Sequence, residues 1–183
     1  MPVATARKRA IAGSVILCYD GSKEAGEAVA HAAELLPGWP AIVVSVWKPI
    51  IEEALSTPMT PPVADPVDAN ERQRKSAEQI AGQGVRLASR AGLQAKPLVV
   101  EADGPLWEAI ELVAEEHDAK VIVSGTRRSG VKAALPGNLA SALVAHASRP
   151  VLVVPSAKAA AERERDVQDE RSRRRPVPRA LAH

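Results

Sequence analysis

The sequence predicts an open five-stranded parallel α/β sheet with helices on both faces, and three observations predict it. Five short apolar runs rich in β-branched residues recur along the chain: Ser14 to Tyr19, Ala41 to Trp47, Lys96 to Glu101, Lys120 to Ser124 and Val151 to Val154. The segments between them carry apolar residues at helical spacing, so strand and helix alternate, and such alternation builds a parallel sheet with right-handed crossovers. There is no Phe and only one Tyr, so the core must be made of Val, Leu, Ile and Ala, which suits strands covered by helices on both sides.

The elements follow in order. The first run ends in Asp20-Gly21-Ser22, a turn followed by a helix cap. Ala25, Val29, Ala32 and Leu36 then form one stripe, stopped by Pro37-Gly38. The second strand, 41–47, is apolar on both faces. Residues 48–66 contain Pro49, Pro58, Pro61, Pro62 and Pro66; so long a proline-rich stretch is either a lid or binding loop, or unstructured. Val67 to Ala91 is polar and helix-favouring, with Ala77, Ile80, Gly84, Leu87 and Ala91 along one face and Gly92 after it. A third strand, 96–101, leads to Asp103-Gly104-Pro105, with Pro105 placed in the first turn of a helix bearing Leu106, Ile110 and Val113. The fourth strand is followed by a loop from Gly125 to Pro136. Asn138 caps a helix striped by Leu139, Leu143 and His146, and the fifth strand closes the domain.

Charge is unevenly spread over the 183 residues. The net is +2, but residues from Ser156 onward hold 8 Lys/Arg against 5 Asp/Glu, leaving the rest near neutral. A near-neutral folded part gives no case for nucleic acid. The expected organisation is a flexible N-terminus over 1–12, a domain over 13–155 and a charged tail over 156–183. Ala157 to Arg175 suits a solvated helix, and without an apolar stripe it is expected to be loosely held. A single cysteine, Cys18, allows no internal disulfide and fits a reducing compartment. No run of 18 apolar residues exists to span a membrane, and MPVATARKRAIAG lacks the apolar segment of a secretory signal. A cytoplasmic protein is expected.

Chemistry concentrates in VIVSGTRRSGVKAALPGNLASALVAHASRPVLVVP, residues 121–155. A strand runs into Gly125, a loop bears Arg127, Arg128 and Lys132, and Gly137-Asn138 opens a helix. The first turn of a helix has unpaired N–H groups and a positive dipole end, both of which suit phosphate. Glycine at 125 and 137 lets the backbone approach a ligand, and Asn138 can cap and also donate. The same residues are equally readable as a turn and cap beside a solvated basic loop. Several enzyme classes lack their motifs here. There is no G-x-x-x-x-G-K-[ST], no G-x-G-x-x-G after the first strand and no G-x-S-x-G. His31, His117 and His146 lie singly on separate helices and His183 is terminal, so none has metal-ligand spacing. Cys18 reads as a small core residue rather than a nucleophile, and Ser141 as a solvated helical hydroxyl.

Residues 13–155 resemble a universal stress protein domain of the UspA superfamily. The likeness rests on the opening strand ending in Asp20-Gly21-Ser22, the second strand with Val46, and the closing HASRPVLVVP. It implies a Rossmann-like fold of the adenine nucleotide alpha hydrolase type. The ATP-binding branch carries G-x-x-G-x9-G-[S/T/N] after the fourth strand, with its first Gly matching Gly125 and its last pair Gly137-Asn138. This chain has 11 residues between those glycines, one fewer than the pattern, and the second glycine is missing; Gly130 does not replace it.

The resemblance further implies that Cys18, Tyr19 and Asp20 contact adenine and that Val46 packs on it. Phosphates would lie on Gly125, Thr126, Gly137, Asn138 and Leu139, with Arg127 and Arg128 balancing charge. For Asp20 the plain reading is a turn former, and for Val46 it is core. The expected ligand is ATP, with Mg²⁺ as a possible companion, in a stress-response regulatory module. No general base faces the loop, so the protein is expected to be no enzyme, or at most a slow ATPase. A homodimer paired through Val151–Val154 is also implied, and it would cover an otherwise open sheet edge. The alternative is a dimeric interaction protein of the same fold without nucleotide, because members lacking the full glycine pattern keep the fold and do not detectably bind ATP. A related adenylyl transferase of this architecture lacks its H-x-G-H-type signature here.

Overall fold

The computed structural model describes residues 13–49, 66–126 and 139–173. Strands β1 (Ser14–Cys18), β2 (Pro40–Trp47), β3 (Gln94–Glu101), β4 (Ala119–Thr126) and β5 (Val151–Pro155) form one sheet in the order β3-β2-β1-β4-β5. Every pairing is parallel. Each connection therefore crosses over through a helix. The chain returns to the middle of the sheet after β3, so the strand order reverses between β1 and β4, where open α/β sheets place their ligands.

Helices α1 (Lys23–Leu35) and α2 (Pro66–Arg90) cover one face, and α3 (Leu106–Glu116) and α4 (Leu139–His146) the other. The period-2 alternation of the strands divides the core accordingly. Val15, Leu17 and Val43 meet Ala28, Val29, Ala32 and Ala88 on the first face. Ile16, Ile42 and Val44 meet Ile110, Val113 and Leu143 on the second. Val15, Ile16, Val43, Ile110, Ile122 and Leu143 are completely buried. That is the all-aliphatic core the composition requires.

Several boundaries differ from the sequence reading for definable reasons. β3 starts two residues early, at Gln94, because Pro40 and Ala41 pair with Gln94 and Ala95. Gly125 and Thr126 belong to β4 rather than to the following loop, since they pair with Val154 and Pro155. Pro105 is the N-cap of α3, extended at φ −62° and ψ 137°, and the helix begins at Leu106. On α2 the buried row is Ala77, Ala81, Gly84 and Ala88, and Ala91 is exposed beyond the helix end.

The tail holds the largest difference. α5 (Ala157–Arg173) is a helix whose first turn is fastened to the domain. The Ser156 hydroxyl accepts from the Ala159 N–H at 3.2 Å, and the Ala157 N–H donates to Glu27 of α1 at 3.0 Å. Ala159 is buried. The Ser156 cap, the Glu27 carboxylate and the small Ala159 thus supply the anchor that a search for an apolar stripe overlooks. The proline-rich segment 50–65 and the Arg175-Pro176 break lie outside the described residues. Among the described residues no helix is long and apolar enough to cross a membrane.

Candidate functional site

A cleft of about 350 Å³ opens at the C-terminal strand ends, at the β1/β4 switch point. Its size falls within the roughly 300–1,000 Å³ of small-molecule sites. β1 supplies its floor and leads into the turn that forms its rim. After Cys18, the Tyr19 N–H still donates to the Val44 carbonyl at 2.9 Å, so the chain leaves the sheet only at Asp20. Gly21 then takes φ +80°, a left-handed turn that suits glycine. The Ser22 N–H donates to Asp20 Oδ1 at 2.9 Å, and Ser22 Oγ accepts from the Ala25 N–H at 3.2 Å. One carboxylate and one hydroxyl thereby fix the start of α1 against the cleft.

The expected residues divide into three groups. Cys18, Tyr19, Asp20, Val46, Gly125, Thr126 and Leu139 all line the cleft. They come from β1, the turn after it, β2, β4 and α4. Arg127, Arg128, Gly137 and Asn138 lie outside the described residues, as do Gly130 and Lys132. A further set was not singled out from the sequence: Ser22, Glu24 and Ala25 at the start of α1, Val44 on β2, Ser124 on β4, and Leu106 and Ile110 on α3. Val44 could have been found by stepping two residues back from Val46 along the same strand face. Leu106 and Ile110 could not, because a helical apolar stripe looks the same whether it faces core or cleft.

Individual roles are sharper than the sequence alone allows. Asp20 is exposed, with one oxygen already accepting from the turn, so it is a turn former whose second oxygen remains at the cleft rim. Tyr19 packs its ring on the α1/α2 face against Gly84; along the cleft it therefore offers its main chain. Val46 is half-buried and rests on the α3/α4 core. Cys18 is 7% exposed, and burial, with a smaller contribution from the charge of Asp20, pushes its thiol up from 9.0 to about 12. It is a neutral wall, not a thiolate nucleophile. Gly125 carries no side chain for a reason other than ligand approach: a Cβ there would lie 2.5 Å from the Glu24 carbonyl oxygen.

Electrostatically, the described lining has two carboxylates, Asp20 and Glu24, and no Lys or Arg. Opposing them, the first turns of α1, α3 and α4 all contribute lining residues. Their positive dipole ends point toward the same space. Apolar walls from Val44, Val46, Leu106, Ile110 and Leu139 complete the cleft. No group of three or more His, Cys, Asp or Glu is arranged for a metal among the described residues.

This combination defines a class: α/β proteins presenting a switch-point cleft, closed by helix N-termini, in a β3-β2-β1-β4-β5 parallel sheet. The profile of the universal stress protein family matches residues 13–155, and the chain belongs to that family. A universal stress protein family member from Burkholderia pseudomallei superposes with a TM-score of 0.59 at 24% identity, covering 79% of this chain and 96% of that one. The universal stress protein of Archaeoglobus fulgidus gives 0.58 at 20% identity, covering 79% and 94%. A family member from Arabidopsis thaliana, solved with AMP bound, gives 0.52 at 15% identity, covering 78% and 91%. At these identities the likeness shows the fold. No curated protein sequence matches the chain significantly.

Proposed function

We propose that this universal stress protein binds an adenine nucleotide in the switch-point cleft and acts as a regulatory module rather than a rapid enzyme. The observation that carries the reading is that Asp20, Val46, Gly125, Thr126 and Leu139, the described residues that the family resemblance implies for a nucleotide site, line one cleft. Proteins of the same fold have been solved with cAMP, with dAMP and with AMP. In this reading adenine lies on Val46 near Asp20, and the sugar and phosphates extend toward β4 and the start of α4. Arg127, Arg128, Gly137 and Asn138 supply the phosphate contacts, with ATP and Mg²⁺ as the fullest form of the ligand. The described lining holds no histidine, and its carboxylates sit on the turn and the first turn of α1, so hydrolysis is at most slow. The protein works as a cytoplasmic homodimer paired through Val151–Val154.

Calorimetric titration with ATP plus Mg²⁺, and with AMP, tests the reading. Saturable heat accompanied by a thermal shift supports it; no heat and no shift at millimolar nucleotide removes it.

A second reading is favoured by a specific observation: the described lining is acidic, and the sequence between Gly125 and Gly137 is one residue shorter than the family's ATP-binding pattern. Here the same dimeric fold serves as an interaction module without nucleotide. Gly137→Trp separates the two. It abolishes nucleotide binding under the first reading and leaves partner binding intact under the second.

A further inference from the structure

A second concavity, of about 500 Å³, lies at the opposite corner of the sheet from α5, between the outer strand β3 and helix α3. Its floor is apolar. Leu98 and Val100 face the same side as Val44 and Val46, their partners in β2, and Val113 closes the inner wall. Leu112 stands on the outer wall with 57% of its surface exposed. Among the described residues β3 pairs only with β2, so one side of its backbone has no described strand beside it. Pro97 removes a donor from that strand, which favours a short docked segment over a complete sixth strand.

Around this floor stand four exposed carboxylates and no cationic residue: Glu101, Asp103, Glu108 and Glu116. Glu108, Leu112 and Glu116 are spaced by four and share one face of α3. None of the four acids makes an ion pair among the described residues. By contrast, elsewhere on the surface Glu71, Glu78 and Glu111 each have a basic partner. An apolar trough rimmed by unpaired like charges is complementary to an extended segment carrying arginines and small apolar residues. The chain carries an arginine-rich segment: residues 171–183, RSRRRPVPRALAH, hold five arginines and no acid, with Val177 and Leu181 as apolar residues and two prolines, and the first three of these residues end α5.

We propose that the groove between β3 and α3 receives the arginine-rich C-terminal segment of a second copy of this chain. The helix leading to that segment starts from β5 and is fastened to α1, on the face of the sheet opposite α3, so the tail of a second copy is the occupant proposed. The contact is heterologous, tail to groove, and independent of whether nucleotide binds.

A charge swap tests it on the full-length protein. One variant carries Glu108→Lys with Glu116→Lys; the other carries Arg173→Glu, Arg174→Glu and Arg175→Glu. By sedimentation at low salt, each variant alone is expected to lose the association that the wild type shows beyond a dimer paired through Val151–Val154, weakened about tenfold or more. An equimolar mixture is expected to regain it, since each groove then meets a tail of opposite sign. Glu115→Lys, on a neighbouring face of α3, should leave it unchanged. Regain on mixing also shows that both variants are folded. Should a variant be unstable, anisotropy of a labelled 171–183 peptide titrated with wild-type protein reads the same contact. The proposal is overturned if the variants associate like wild type, if mixing restores nothing, or if the tail proves bound to its own chain. Failure of the labelled peptide to bind at low salt overturns it equally.

Discussion

Gly125 and Glu24 are in backbone contact: a methyl group on Gly125 would sit 2.5 Å from the Glu24 carbonyl oxygen and 3.1 Å from the Ala25 nitrogen. The end of β4 is thus pressed against the first turn of α1, and both line the cleft. Neither neighbour is the flexible end of a side chain, so neither can yield cheaply. Gly125→Ala is expected to cost about 2 kcal/mol by overpacking, lowering Tm by roughly 4–8 °C. Because the displaced element is the start of α1, ligand affinity should fall with it. A variant as stable as wild type would show that β4 and α1 are less tightly apposed.

Gly84 and Tyr19 form a second close approach, on the same face of the sheet, against α2. A Cβ on Gly84 would lie 2.7 Å from Tyr19 Cδ1 and 2.7 Å from Val43 Cγ1. Alanine gains about 1 kcal/mol of helix propensity over glycine, and the overpacking exceeds that gain. Gly84→Ala is therefore expected to destabilise in the wild type and to be less harmful beside Tyr19→Ala, with a coupling of at least about 0.5 kcal/mol. Denaturant unfolding of the four proteins measures it, and strict additivity would contradict the packing described.

The buried Cys18 thiol makes a prediction about reactivity and pH. With its pKa pushed up from 9.0 to about 12, the folded thiolate fraction near neutral pH is lower by about a thousandfold. Iodoacetamide should modify Cys18 only as fast as the domain opens. The sign of the stability effect follows from proton counting. Above pH 9 the unfolded chain releases the proton while the folded chain retains it. Stability therefore falls as pH rises from about 9 toward about 12. Cys18→Ala should flatten that part of the alkaline stability profile, and rapid labelling of the native protein would refute the burial argument.

The Ser156 cap gives a local test. Its hydroxyl holds the Ala159 N–H at 3.2 Å, and removal of such a cap costs about 1 kcal/mol. Ser156→Ala should speed amide exchange over the first turn of α5 and leave β1 and β4 protected. Equal protection in both proteins would mean that Glu27 alone secures the turn.

The scaffold was legible in the sequence because local signals agreed. Strand runs, the Ser22 cap, the Pro37-Gly38 stop and the aliphatic composition all point to one doubly covered sheet. What local pattern hides is pairing and depth. Gly125 looks like the first residue of a loop until Val154 is seen beside it, and its lack of a side chain looks like room for a ligand until Glu24 is seen behind it. Asp20 was open to two readings, and the hydrogen bond from Ser22 gives it the turn role. Leu106 and Ile110 show the period of a core face and nothing of the cleft. The docking of Ala159 depends on small size rather than on a stripe, so hydrophobic periodicity does not report it.

The central claim is that one switch-point cleft, built by β1, β2, β4 and the starts of α1, α3 and α4, holds the nucleotide. Amide chemical shifts recorded during a titration with AMP, then with ATP and Mg²⁺, test it most directly. The account predicts saturable shifts concentrated at Cys18–Ser22, Val46, Gly125–Thr126 and Leu139, and their loss in Val46→Glu. Unchanged spectra at millimolar nucleotide, or shifts centred on another part of the chain, would contradict it.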